Sequence, residues 1–109
     1  MNIKDITSRA AEAEQLLKAL ANRNRLIILC ELHEGERAVT ELAGTVGLSQ
    51  SALSQHLARL REDGLVATRR EGTSIFYDLA DGRVSSVISL LHALYCNADG
   101  DPKQKETIK

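Results

Sequence analysis

The groups in this chain with redox or metal-binding capacity are two cysteines, Cys30 and Cys96, and three histidines, His33, His56 and His92. Cys30 and His33 stand at i, i+3, and His92 and Cys96 at i, i+4. Each spacing places both members of the pair on one side of a helix. Together the four side chains have the composition of a two-cysteine, two-histidine zinc set. A free cysteine is equally at home as a small buried residue, so the residues alone leave thiol chemistry, zinc binding and plain packing open. A catalytic thiol protein is disfavoured, because there is no Cys-X-X-Cys motif and no thioredoxin-like strand pattern.

A second set of side chains suits nucleic acid. With Gln50 at zero and about 100° per residue, Leu53, Leu57 and Leu60 fall in one narrow stripe. Gln50, Ser51, Ser54, Gln55 and Ala58 fall on the other arc. Ordinary solvated helix faces carry Glu and Lys, but Gln50 to Ala58 contains no Lys, Arg, Asp or Glu. Gln pairs bidentately with adenine, Ser reaches several base edges or phosphates, and small side chains admit the helix backbone to the groove. His56 lies beside the leucine stripe, as a packing residue or within reach of a phosphate. Arg59 and Arg61 near the helix end are phosphate contacts or plain surface. Arg69 and Arg70, just before a Gly72-Thr73 tip, suit phosphate or minor-groove contact. The same two arginines also serve as a charged edge that blocks strand pairing.

The elements that must hold these groups follow from caps and periodicity. Apolar positions from Ser8 to Leu20 have helical spacing. Asn22 is a good N-cap for a second helix that stops near Gly35. Val39–Val46 is a short third helix ended by Gly47. Ser49 caps a fourth, Gln50–Glu62, ended by Asp63-Gly64. Leu65–Arg70 and Ile75–Leu79 alternate like strands around a Glu71-Gly72-Thr73-Ser74 loop, and a last helix runs from about Arg83 to Cys96. A short helix, a glycine turn, a longer helix and a two-stranded ribbon make a winged helix-turn-helix. The expected fold is therefore mainly α with a small β-hairpin. It occupies residues 1–98, with a polar tail over 99–109 expected to be disordered.

Composition limits the remaining options. The chain has 109 residues, 43% of them hydrophobic, enough for one small domain that would gain core by pairing with a copy of itself. Aromatic residues make up 3%, too few for a base-stacking single-strand binder. The net charge of −1 and pI near 6.3 do not announce a nucleic-acid binder, so the local pattern has to carry that reading. No apolar run approaches the roughly 20 residues that cross a bilayer, and Met1–Arg9 lacks a signal-peptide core. A cytoplasmic location is expected, where both thiols start reduced.

Leu17–Leu32 (LKALANRNRLIILCEL), Val39–Leu79 (VTELAGTVGLSQSALSQHLARLREDGLVATRREGTSIFYDL) and the last helix resemble the ArsR/SmtB family of winged-helix repressors, over residues 10–97. The resemblance implies a homodimer through the first and last helices, double-stranded promoter DNA as partner, repression of nearby promoters, and an inducer that releases DNA. The family's usual metal sites are missing. No cysteine falls within Arg37 to Thr40, and the last-helix zinc positions would be Asp81, Arg83, Leu94 and Asn97. Arsenite takes three thiolates and the chain has two cysteines. One cysteine in the second helix and one at the end of the last is similar to the dithiol branch of the family, of the BigR/SqrR and HlyU kind.

That resemblance implies a disulfide or polysulfide bridge between Cys30 and Cys96, formed by reactive sulfur species or an oxidant, with loss of DNA affinity. A bridge needs Cα atoms within about 7 Å. It also needs thiolate, which the helix C-terminus disfavours at Cys96; His92 and His33, when protonated, would offset this. The expected DNA-contacting set is Gln50, Ser51, Ser54, Gln55, His56, Arg59, Arg69, Arg70 and Thr73. No cofactor, resident metal or enzyme activity is expected. The alternatives are a zinc-responsive regulator using the Cys/His set and a winged helix that binds only protein.

Overall fold

The computed structural model of the chain describes residues 2–96. Six helices and three strands follow in order: α1 Ile3–Thr7, α2 Ala10–Leu20, α3 Arg23–His33, β1 Arg37–Ala38, α4 Val39–Val46, α5 Gln50–Glu62, β2 Val66–Glu71, β3 Ser74–Leu79 and α6 Gly82–Tyr95. The fold is the expected winged helix-turn-helix, mainly helical, with a three-stranded antiparallel sheet in the order β1-β3-β2.

Capping chemistry sets the boundaries. Asn22 accepts from the Arg25 N–H at 3.1 Å to start α3, Ser49 accepts from the Ala52 N–H at 3.1 Å to start α5, and Asp81 accepts from the Arg83 N–H at 2.8 Å to start α6. Each of these bonds satisfies one of the helix's orphan donors. The Arg25 side chain closes the preceding helix as well. Its guanidinium donates to the Ala19 carbonyl at 2.7 Å and the Lys18 carbonyl at 3.3 Å, so the last turn of α2 is held by α3. Between α4 and α5 the chain reverses through Gly47 at φ 72°, a left-handed conformation that favours glycine.

The core is one cluster. Ile28, Leu29 and Leu32 of α3, Leu42 of α4, Leu53, Leu57 and Leu60 of α5, and Val84 and Ile88 of α6 are buried together with Ala19, Leu20, Leu65 and Val66. Helix α3 lies at its centre, packed against α2, α4, α5, α6 and β3. Register puts Val66 opposite Leu79, Thr68 opposite Tyr77, Arg69 opposite Phe76 and Glu71 opposite Ser74. Tyr77 and Leu79 pack on the core.

Two elements depart from the sequence reading. The wing has three strands, because Arg37 and Ala38 pair with Tyr77 and Phe76. The N-terminal residues also form a separate short helix, α1, capped by the Asn2 side chain on the Lys4 N–H at 2.9 Å. The tail expected from residue 99 onward lies outside the described residues. Among those residues no helix is long and apolar enough to cross a membrane.

Candidate nucleic-acid interface and thiol pair

Helix α5 divides as its sequence pattern requires. Leu53, Leu57 and Leu60 are 0%, 1% and 0% exposed, while Gln50, Ser51, Ser54, Gln55 and Ala58 are exposed. The Ser/Gln face is therefore an open ridge backed by close-packed leucines, which hold it rigid. His56 is half-buried at the margin of the ridge. Arg59 is exposed, and its guanidinium donates to the Asp63 carboxylate at 3.0 Å within the helix end. Arg61 is exposed and makes no ion pair among the described residues.

Helix α5 packs against β2, so ridge and wing are adjacent parts of one body. The wing turns through Gly72 at φ 64° and Thr73, with Glu71 and Ser74 as the last pair. A two-residue hairpin of this kind needs a left-handed first residue. Thr73 is exposed at this tip.

The two wing arginines differ. Side chains alternate across a strand, so Arg70 shares the core-side face of Val66 and Thr68, continued past the end of the core. Arg70 is exposed and makes no ion pair among the described residues. Arg69 lies on the outer face and is occupied. Its Nε and Nη2 donate to both carboxylate oxygens of Glu36 at 3.0 and 2.8 Å, and its Nη1 donates to Glu71 at 3.2 Å. Its guanidinium carbon stands 4.6 Å from the centre of the Phe76 ring. The hydrogen bond from Arg69 holds the Glu36 carboxyl below the usual carboxylate range. Sequence reasoning missed both carboxylate partners. Glu71 stands in the hairpin but carried no signal of pairing, and Glu36 is far away in the chain with no periodicity to link it.

The thiols occupy a second region. Cys30 lies near the end of α3, and Cys96 is the residue that ends α6, its N–H donating to the His92 carbonyl at 2.8 Å. Both are free and exposed, which does not match the reading of two small core residues. The helices that carry them pack together. Partial burial pushes the Cys30 thiol above the ordinary cysteine range, and negative charge at Cys96, Glu31 and Glu34 adds to this. Desolvation and neighbouring negative charge both act against the Cys30 thiolate.

His33 instead faces α6. Its Nε2 and the Ser89 hydroxyl are 3.4 Å apart, and both residues line a depression of about 260 Å³ with Glu34 and His92. Among the described residues no three His, Cys, Asp or Glu side chains converge to hold a metal ion. The zinc alternative built on Cys30, His33, His92 and Cys96 thus has no converged ligand set to support it.

Large apolar side chains remain exposed on the outer helices: Ile3 and Ile6 of α1, Leu17 of α2, and Leu90, Leu94 and Tyr95 of α6. A shallow groove along α1 and α2 is lined by Ile6, Ala10, Ala13, Leu17 and Ala21, with Glu14 and Lys18 also on its wall.

Known proteins share this fold. Residues 22–68 match the family described as bacterial regulatory protein, arsR family. The transcriptional activator HlyU of Vibrio cholerae serotype O1 is 52% identical over 99 residues, spanning 91% of this chain and 92% of that one. The solved structure of reduced HlyU from Vibrio cholerae N16961 superimposes with a TM-score of 0.82 over 87% of this chain and 100% of that one. The transcriptional repressor BigR from Xylella fastidiosa, 41% identical, has a TM-score of 0.85 over 88% of this chain and 98% of its own. A homodimeric winged helix-turn-helix DNA-binding domain from Mycobacterium bovis, 38% identical, has a TM-score of 0.69 over 83% of this chain and 86% of its own.

Proposed function

The chain belongs to the arsR family of bacterial regulatory proteins, and from that premise we propose that it is a homodimeric transcription regulator whose hold on promoter DNA is broken when Cys30 and Cys96 become linked. One relative is named an activator and another a repressor. Both are named for control of transcription, and the step addressed for this chain is its occupancy of DNA. The observation that carries it is the pairing of an open, uncharged Ser/Gln ridge with two exposed thiols on packed helices.

Gln50, Ser51, Ser54 and Gln55 enter the major groove and read base edges. Arg59, Arg70 and Thr73 meet the backbone, with His56 at the margin of the contact and Arg69 supporting the wing. Dimerisation uses the exposed apolar faces of α1, α2 and α6. Burying one large aliphatic side chain contributes about 1.5–3 kcal/mol, so this surface is sufficient for a stable pair and sets two ridges on one duplex.

The switch begins with both thiols reduced in the cytoplasm. A thiolate attacks the sulfane sulfur of a low-molecular-weight persulfide, forming a cysteine persulfide and expelling the donor as a thiol. The second cysteine then attacks the protein-bound sulfur, closing a Cys30–Cys96 disulfide and releasing hydrogen sulfide. The two cysteines are oxidised and the sulfane sulfur is reduced. Because Cys30 stands on α3, at the centre of the core, a bond there acts on every element that α3 supports.

The test uses the full chain and a duplex enriched by it from a random-sequence library. The reduced chain should bind this duplex. A persulfide donor should abolish binding with loss of two protons from the intact mass, and Cys30→Ser and Cys96→Ser should bind before and after the donor alike. A serine variant that still responds refutes the thiol switch, and failure to enrich any duplex favours a protein-binding winged helix.

A further inference from the structure

The carboxylates around Arg69 suggest a role that a phosphate contact does not explain. Arg69 makes hydrogen bonds through three nitrogens to Glu36 and Glu71 and stacks on Phe76. One cation faces two carboxylates, so the cluster presents net negative charge and repels a phosphate. Two-pronged pairing also fixes the direction of the guanidinium plane, which a single contact does not. Glu36 stands three residues beyond the end of α3, between that helix and β1. A second ion pair runs parallel: Glu31, the residue after Cys30, meets Arg37 of β1 at 3.8 Å. The end of α3 and the segment that follows it are thus tied to the two outer strands of the wing sheet, through Glu31 to β1 and through Glu36 to β2.

We propose that the Glu36–Arg69 pair is a positioning device: it fixes the wing against the end of α3 and is the contact through which a bond at Cys30 alters the DNA-binding face. Arg69 acts on DNA through the wing's angle, and Arg70 and the tip make the contact itself. The second half of this proposal rests on the thiol-switch reading; the first half does not. An exposed ion pair contributes little to global stability, so the device can be removed without unfolding the chain.

A double-mutant cycle on the full chain tests it, with the enriched duplex as probe and fluorescence anisotropy across a salt series. Glu36→Gln and Arg69→Gln should each weaken binding about fivefold, and the double variant should be no weaker than either single one. The dependence on salt should keep its slope. Nuclear magnetic resonance should show the amides of Gly72 and Thr73 becoming more mobile in all three variants, with thermal midpoints near that of the parent chain. A phosphate contact predicts otherwise: Arg69→Gln lowers the salt slope by about 0.9 per subunit, and Glu36→Gln tightens binding by freeing the arginine. Either of those results overturns the proposal, as does additivity in the double variant.

The coupling is read by adding the persulfide donor. The fold-loss in the parent chain should shrink by more than half in the double variant. An equal fold-loss in both overturns the coupling. A parent chain that ignores the donor while the cycle holds refutes the thiol switch and leaves the positioning role standing.

Discussion

Substituting Ser54 by Glu puts a carboxylate in the middle of the α5 ridge without touching the core. Ser54 is exposed between Leu53 and Leu57, both of which are buried on the opposite side. Exposed substitutions away from caps and partners usually change stability by no more than about 0.5 kcal/mol, so the thermal midpoint should hold. The effect on DNA should be large. A carboxylate pressed into a groove lined by phosphates is a like-charge contact of the kind that costs several kcal/mol. Taking about 2 kcal/mol per subunit and a factor of ten for each 1.4 kcal/mol gives roughly 30-fold per ridge, and about a thousandfold when both ridges of a dimer are engaged. Anisotropy with the enriched duplex at fixed salt reads the affinity, circular dichroism reads the fold, and added salt should recover part of the loss. If Ser54→Glu binds within twofold of the parent chain, the ridge does not enter the groove, and the functional reading of α5 fails with it.

The opposite face of the same helix should give the opposite pattern. Leu57→Ala should lower stability by about 2–5 kcal/mol, seen as a fall in the urea midpoint, with affinity retained in whatever fraction stays folded. An unchanged midpoint would contradict the burial of Leu57. Cys30 should react as a weakly ionised thiol. In the Cys96→Ser chain its alkylation rate should climb about tenfold per pH unit through neutral pH, because burial and nearby carboxylates disfavour the thiolate; a rate already level at pH 7 would contradict this. Leu94→Glu, on the exposed face of α6, should convert a dimer to a monomer in sedimentation and weaken DNA binding with it. An undisturbed dimer would move the interface elsewhere.

Much of this architecture could be read in advance, because it rests on local rules. Asn22, Ser49 and Gly47 each mark a boundary through a bond or a backbone conformation made within a few residues of themselves. The α5 stripe is likewise a matter of spacing along one helix. What escaped was non-local or too short to carry a period. A strand of two residues, β1, has no alternation to detect, and only its pairing with Tyr77 and Phe76 makes it a strand. Helix α1 is five residues long, so Ile3 and Ile6 form too short a pattern to distinguish it from a loop. The separation of Arg69 from Arg70 needed the sheet, since adjacent arginines look alike until the two faces have different neighbours. The thiols are linked in the sequence only through resemblance, because whether two cysteines so far apart in the chain can meet depends on how α3 and α6 pack.

The sparing use of positive charge on the reading side has a consequence for how the protein would behave among the many sites of a genome. Arg69 is taken up by Glu36 and Glu71, Arg59 shares its charge with Asp63, the ridge itself carries none, and Arg61 and Arg70 are the exposed cations there without an ion pair among the described residues. On the proposed reading, counterion release, the sequence-blind part of attraction to a duplex, rests on a short list of arginines. A protein held mainly by the fit of side chains to base edges has weak residual grip once that fit is spoiled. A small tilt of ridge or wing then clears it from DNA altogether, instead of leaving it to slide along the chromosome.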